Sequence, residues 1–309
     1  MAMRVLVATA GGLLGFDGDG GEPARELEGR SVGALAPAGW QRLWAVVGGA
    51  EIWRSEGEGG GWQQIASLER LEATCLADTR ANHEAGISIG TSEARLARLT
   101  EKGELEWIEA FDQAPGRDRW FTPWGGPPAV RTLSEDHNTV YVNVHVGGVL
   151  RSLDEGARWE PTIDIEADVH QVATGHGHVY AAGARGLAVS EDRGESWRTS
   201  SDGLHAAYCR AVAVCGRHLL LSASEGPGRG RAAVYRSEID GRRFEKCDGG
   251  LPEWFAGNVE SLCLDALPDG RLAAFGSEAG ELYASSDEGA SWRLLAAGLS
   301  EIRRVLVLP

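Results

Sequence analysis

The chain has 309 residues, 43% of them hydrophobic, and a formal net charge of −15. That much apolar side chain can build a core, which excludes a disordered chain. The acidic balance excludes the basic face that nucleic acid requires and disfavours adsorption to anionic membranes.

The 43 glycines sit in short turns between apolar runs, as in an all-β protein with many tight connections. Met1 leads almost at once into Arg4-Val5-Leu6-Val7-Ala8, which reads as a strand and is too short for a signal-peptide core. No apolar stretch of the sequence reaches the length of a membrane span, so the reduced cytoplasm is the expected compartment. The five cysteines include no CxxC pair. Cys75, Cys209, Cys215 and Cys263 fall in or beside apolar runs, where a small buried thiol is common, so neither a zinc site nor a disulfide framework is expected.

In chain order, the first turn is Phe16-Asp17-Gly18-Asp19-Gly20. Ser55 to Trp62 follows, with Gly57 where later copies have Asp, and then Thr100-Glu101-Lys102-Gly103 with Trp107. After an insertion from Phe111 to Pro128 comes Ser152-Leu153-Asp154-Glu155-Gly156-Ala157-Arg158-Trp159, a full S-x-D-x-G-x-x-W. Ser190 to Trp197 and Ser285 to Trp292 repeat it in full, while Ser237 to Phe244 has Ile239 at the Asp position. The Asp carboxylate can accept hydrogen bonds from turn amides, Gly supplies a positive φ, and the Trp packs back across the hairpin. The intervals are those of propeller blades, roughly 40 to 50 residues each. The full copies resemble the Asp-box of the BNR family, which includes sialidase-like propellers and photosystem II assembly factors.

Each turn is preceded by strand-like runs, for example Val169 to Ala173, Val179 to Ala182 and Gly186 to Ser190, with Trp197 to Thr199 after the box. These make one four-stranded blade. The first repeat lacks its first strand, and the spare strand is the C-terminal run from Ile302 to Leu308. The expected fold is therefore all-β: one seven-bladed β-propeller over residues 1–309, closed by pairing its two terminal strands. A six-bladed ring with one turn misread is the alternative.

Propeller geometry sorts the candidate site residues. His83, His137, His176, His178 and His218 fall in turns on the box side and read as solvated turn residues. His145, His170 and His205 fall on the opposite, top side; three imidazoles there are a candidate transition-metal site with an open position for substrate. Aligned first strands carry Arg131, His170, Arg210, Glu260 and Arg303 in one column. Three guanidiniums near a channel mouth would hold a carboxylate or phosphate, with His170 and Glu260 as acid and base and Tyr208 adjoining. Trp120 and Trp124 in the insertion, with Trp254 from another loop, are a candidate stacking platform for a ring-containing ligand.

The arginine set resembles the triad that holds the carboxylate in sialidases, although the chain has no Phe/Tyr-Arg-Ile-Pro motif near its start. Two functions follow. One is a small-molecule site, anionic in preference and hydrolase- or lyase-like if catalytic; the other is a non-catalytic scaffold for a protein partner, as the assembly factors imply.

Overall fold

In a computed structural model, the structure describes residues 3–18, 20–39, 42–57, 60–79, 86–122, 125–136, 138–228 and 230–309. Among them lie seven four-stranded antiparallel sheets, and the fold is a seven-bladed β-propeller. One sheet is assembled from both ends of the chain, in the order Ile302–Leu308, Arg4–Thr9, Gly12–Asp17 and Ala24–Glu26. Arg4 lies opposite Leu308, Val5 opposite Val307 and Val7 opposite Val305. The expected closure is therefore present, and the six-bladed alternative falls with the sheet count.

The chain divides into two compact units, residues 1–29 with 173–309, and residues 30–172. In the first, Val5, Val7, Val305 and Val307 join a buried cluster with Phe255, Phe275, Tyr283 and Trp292. The Phe275 and Trp292 rings meet edge to face at 4.9 Å. In the second, Trp44, Ile52, Ile87, Ile89 and Leu99 form the core. Strand runs such as Val5 to Ala8 are buried on both pleat faces, so they read as continuous apolar stretches and not as alternation.

The three full serine–aspartate turns share their serine and aspartate hydrogen bonds, and two of them add one from the tryptophan indole. In the turn from Ser152, the Gly156 N–H donates to Ser152 Oγ at 2.8 Å and the Arg158 N–H to Asp154 Oδ1 at 2.8 Å. The Trp159 indole N–H closes on Gly156 O at 3.0 Å. The positive φ is shared by two residues, because Glu155, Arg193 and Glu288 (φ 57°, 58° and 56°) join the glycine that follows each of them. In the degenerate copy, where Ile239 replaces Asp, Ser237 Oγ is enclosed without a hydrogen-bond partner.

These turns carry a pH dependence. Hydrogen bonds from Ser196, through its hydroxyl and backbone N–H, and from the Ser190 hydroxyl lower the Asp192 carboxyl to about 2. An unfolded aspartate titrates near ~3.9, so the folded state gains stability from ionised Asp192 above that pH and loses it as the pH falls toward 2. Asp192→Asn is expected to flatten the acid limb of a Tm-against-pH curve while lowering the neutral plateau. An unchanged acid limb would show that the turn does not discriminate between the two protonation states.

The five cysteines are free and buried, and burial pushes the Cys209, Cys215 and Cys263 thiols up to about 12, as for inert core residues. Two expectations change. The run from Val259 to Leu262 is not a strand: Leu262 has φ 65°, Cys263 N–H donates to Glu260 O, and pairing begins at Leu264–Ala266. A short helix, Glu109–Asp112, leads into the insertion and a 3-10 turn, Arg117–Arg119, lies within it; Phe111 and Trp120 are buried there. No helix among the described residues is long and apolar enough to cross a membrane.

Candidate functional site

The arginine column has a structural origin that its sequence does not announce. In several first strands the pairing register slips at the same place, around Gly33, Thr74 and Arg131 in one unit and Arg210 with Ala211 in the other. Each slip is a β-bulge, where an extra residue opposes a single partner and its side chain is re-aimed. Arg131 and Arg210 are therefore bulge residues.

Arg210 points onto its own unit. Its Nη1 donates to Glu260 Oε2 at 2.6 Å, its guanidinium lies 5.2 Å from the Tyr208 ring centre, and its side chain is 13% exposed. Arg303 pairs with Glu301 at 3.0 Å. Arg131 lies in the field of Asp168. Arg210 and Arg303 are thus each paired with a carboxylate. Glu260 is likewise committed, as the partner of Arg210 from the turn before the strand.

A looser cluster lies in the other unit. A one-turn 3-10 segment, Ile165–Ala167, is capped by Asp164 and ends at Asp168 in the left-handed region at φ 46°, which Asp tolerates better than most residues. That turn carries the Asp168 carboxylate to two buried imidazoles. His170 Nε2 is 3.6 Å from Oδ2 and His145 Nε2 is 4.0 Å from Oδ1. Neither distance is a good direct hydrogen bond. Asp168 Oδ1 is enclosed and unpartnered, yet the side chain as a whole is 38% exposed. The His170 ring is the largest influence holding Asp168 below the usual carboxylate range. Burial opposes it, and smaller attractions to His145 and Arg131 assist. Two residues before His145, in the strand Thr139–Val144, Asn143 is wholly buried. Its Nδ2 donates to Val169 O at 2.9 Å, and its Oδ1 has no partner.

The third histidine of the metal expectation has other partners. His205 places Nδ1 2.7 Å from Tyr235 Oη and Nε2 3.1 Å from Arg231 O, so both ring nitrogens are engaged within its own unit. Among the described residues, no three His, Cys, Asp or Glu side chains are grouped to hold a metal ion. Nor is Trp120 an exposed platform: it is buried against Phe111 at 5.6 Å, and Phe111 in turn meets Trp159 at 5.0 Å. Trp124 lies outside the described residues. Trp254 is half-buried, tilted against His205 at 4.5 Å, with Lys246 Nζ 3.8 Å from its ring centre and the Arg231 guanidinium at 5.1 Å.

His83 and His137 lie outside the described residues. His176 Nε2 lies 2.9 Å from the carbonyl of Gly216, 40 residues away, and His178 Nδ1 lies 3.0 Å from the carbonyl of His176. His218 differs from the solvated turn residue expected. It is buried, with Nδ1 2.5 Å from Glu288 Oε2 and Nε2 3.5 Å from Glu238 Oε1. Glu288 reaches it from a turn 70 residues away, a pairing with no local sequence signal.

No family model matches the sequence, and no curated protein does. Solved structures do match in fold. A structure of YCF48 bound to D1 peptide has a TM-score of 0.58 at 14% identity, over 95% of this chain and 85% of that one. YCF48 from Cyanidioschyzon merolae gives 0.59 at 13%, over 98% and 90%. A candidate 6-phosphogluconolactonase from Bacteroides uniformis gives 0.64 at 12%, over 99% of both chains. Identities this low show the propeller fold alone.

Proposed function

We propose that this chain is a recognition propeller that binds a protein or peptide partner, and that its exposed polar groups hold that partner without covalent chemistry. The observation that carries the reading is the contrast between the two charged clusters. Arg210 and Glu260 form a tight pair at 2.6 Å, with the arginine side chain 13% exposed and the carboxylate 41% exposed. An incoming anion would have to displace Glu260 from the Arg210 guanidinium. At Asp168 the His170 and His145 ring nitrogens stand back at 3.6 and 4.0 Å, so a donor can enter without breaking a close contact. The surface thus has spare acceptors, which suits the N–H groups of a peptide. The similarity to a propeller that is seen bound to a peptide supports the same reading, as does the net charge of −15.

The alternative, an anionic small molecule at the arginines, is tested by calorimetric titration of phosphate and citrate into the protein and into Arg210→Gln. The recognition reading expects no saturable heat from either. Saturable binding that disappears in Arg210→Gln would restore the small-molecule site.

A further inference from the structure

We propose that Asp168 is the seat for a basic side chain of the partner, a lysine ammonium or an arginine guanidinium. This rests on the recognition reading and adds its chemistry.

Three observations converge on that seat. First, the carboxylate is built in: the left-handed backbone at Asp168 and the short 3-10 turn before it fix where the side chain emerges. Beneath it lie His170 and His145, with side chains only 2% and 9% exposed. These rings are too enclosed to meet a ligand directly, so the group that solvent meets is Asp168 itself, at 38% exposure. Second, the acceptor capacity is not used up. Asp168 Oδ1 lacks a hydrogen-bond partner, and Oδ2 stands 3.6 Å from His170 Nε2. Unsatisfied acceptors call for a donor, and an enclosed carboxylate calls most strongly for a charged one. Third, the long-range field agrees, because a chain with formal charge −15 attracts cations and repels anions. Arg131 works against the seat, but its attraction to Asp168 is the smallest of those acting on the carboxyl.

A positively charged nitrogen is thus favoured over a neutral donor of the same shape. That comparison is the test. Three capped tripeptides, identical except for a central arginine, lysine or citrulline, are titrated into the protein while the ring-proton NMR signals of His145 and His170 are followed. Citrulline keeps the shape of arginine and removes its charge. The arginine or lysine peptide is expected to shift both rings saturably, with citrulline weaker by about tenfold or more, and Asp168→Asn is expected to weaken the charged peptides by a similar factor. Whichever of arginine and lysine binds more tightly identifies the side chain recognised.

Ring signals that do not move, or that move equally with citrulline, would overturn the seat and leave an ordered water as the filler of the gap. The citrulline comparison uses the unaltered protein, so it decides even if Asp168→Asn fails to fold. Peptide binding that leaves both histidines and Asp168→Asn unaffected would remove this seat while leaving the recognition reading intact.

Discussion

Deleting residues 302–309 is expected to abolish the cooperative unfolding transition of the whole chain. The strand Ile302–Leu308 pairs along the length of Arg4–Thr9, and its Val305 and Val307 are buried in the same cluster as Val5, Val7, Phe275 and Trp292. Without it, Arg4–Thr9 becomes an unpaired edge carrying four fully buried apolar residues, Val5 to Ala8, into water. Each apolar side chain exposed forfeits about 1.5–3 kcal/mol for the larger residues, and the whole stability of a domain is about 5–15 kcal/mol. The losses therefore rival the margin, and the bare edge adds a template for aggregation. Thermal unfolding followed by circular dichroism, with sedimentation to read the oligomeric state, checks this. A truncated chain that stays monomeric and melts at the full-length temperature would contradict the closure.

Trp292→Ala should be far more damaging than Trp197→Ala, at about 3–5 kcal/mol. The ring is buried, meets Phe275 at 4.9 Å, and spends its indole N–H on Gly289 O at 3.1 Å. Trp197 occupies the same motif position but is only half-buried, and its indole nitrogen has no partner. Trp197→Ala should therefore cost distinctly less. Urea midpoints at constant m-value measure both. Equal losses would mean that the motif, and not the local packing, sets the energy.

The blade plan was legible because its signals are local. A Ser-x-Asp-x-Gly-x-x-Trp stretch encodes its own hydrogen bonds, and the apolar run from Ile302 to Leu308 had no partner nearer than Arg4 to Thr9. The site was less legible because what decides it is remote. Arg131 and Arg210 look like ordinary strand residues; their bulges exist only in the register against Thr139–Val144 and His218–Ser224. Glu260 reads as one more strand position until the turn at Leu262 is seen. His205 is engaged by Tyr235, 30 residues on, and Trp120 is buried through Phe111, which also meets Trp159. Asp168 carries no motif. A polar residue between an acidic stretch and a strand is ordinary in sequence, and its left-handed backbone and two imidazole neighbours emerge only on folding.

In this reading the propeller offers acceptors to a partner, while Arg210 and Arg303 are paired with carboxylates of the chain itself. The direct measurement is calorimetric titration of the protein with a basic unstructured peptide and with the same peptide carrying every lysine and arginine changed to glutamate, at low and at physiological salt. The predicted result is saturable binding of the basic peptide that weakens as salt screens the charges, and none of the acidic one. Saturable binding of the acidic peptide, with the basic one inert, would contradict the account and return the function to the arginines.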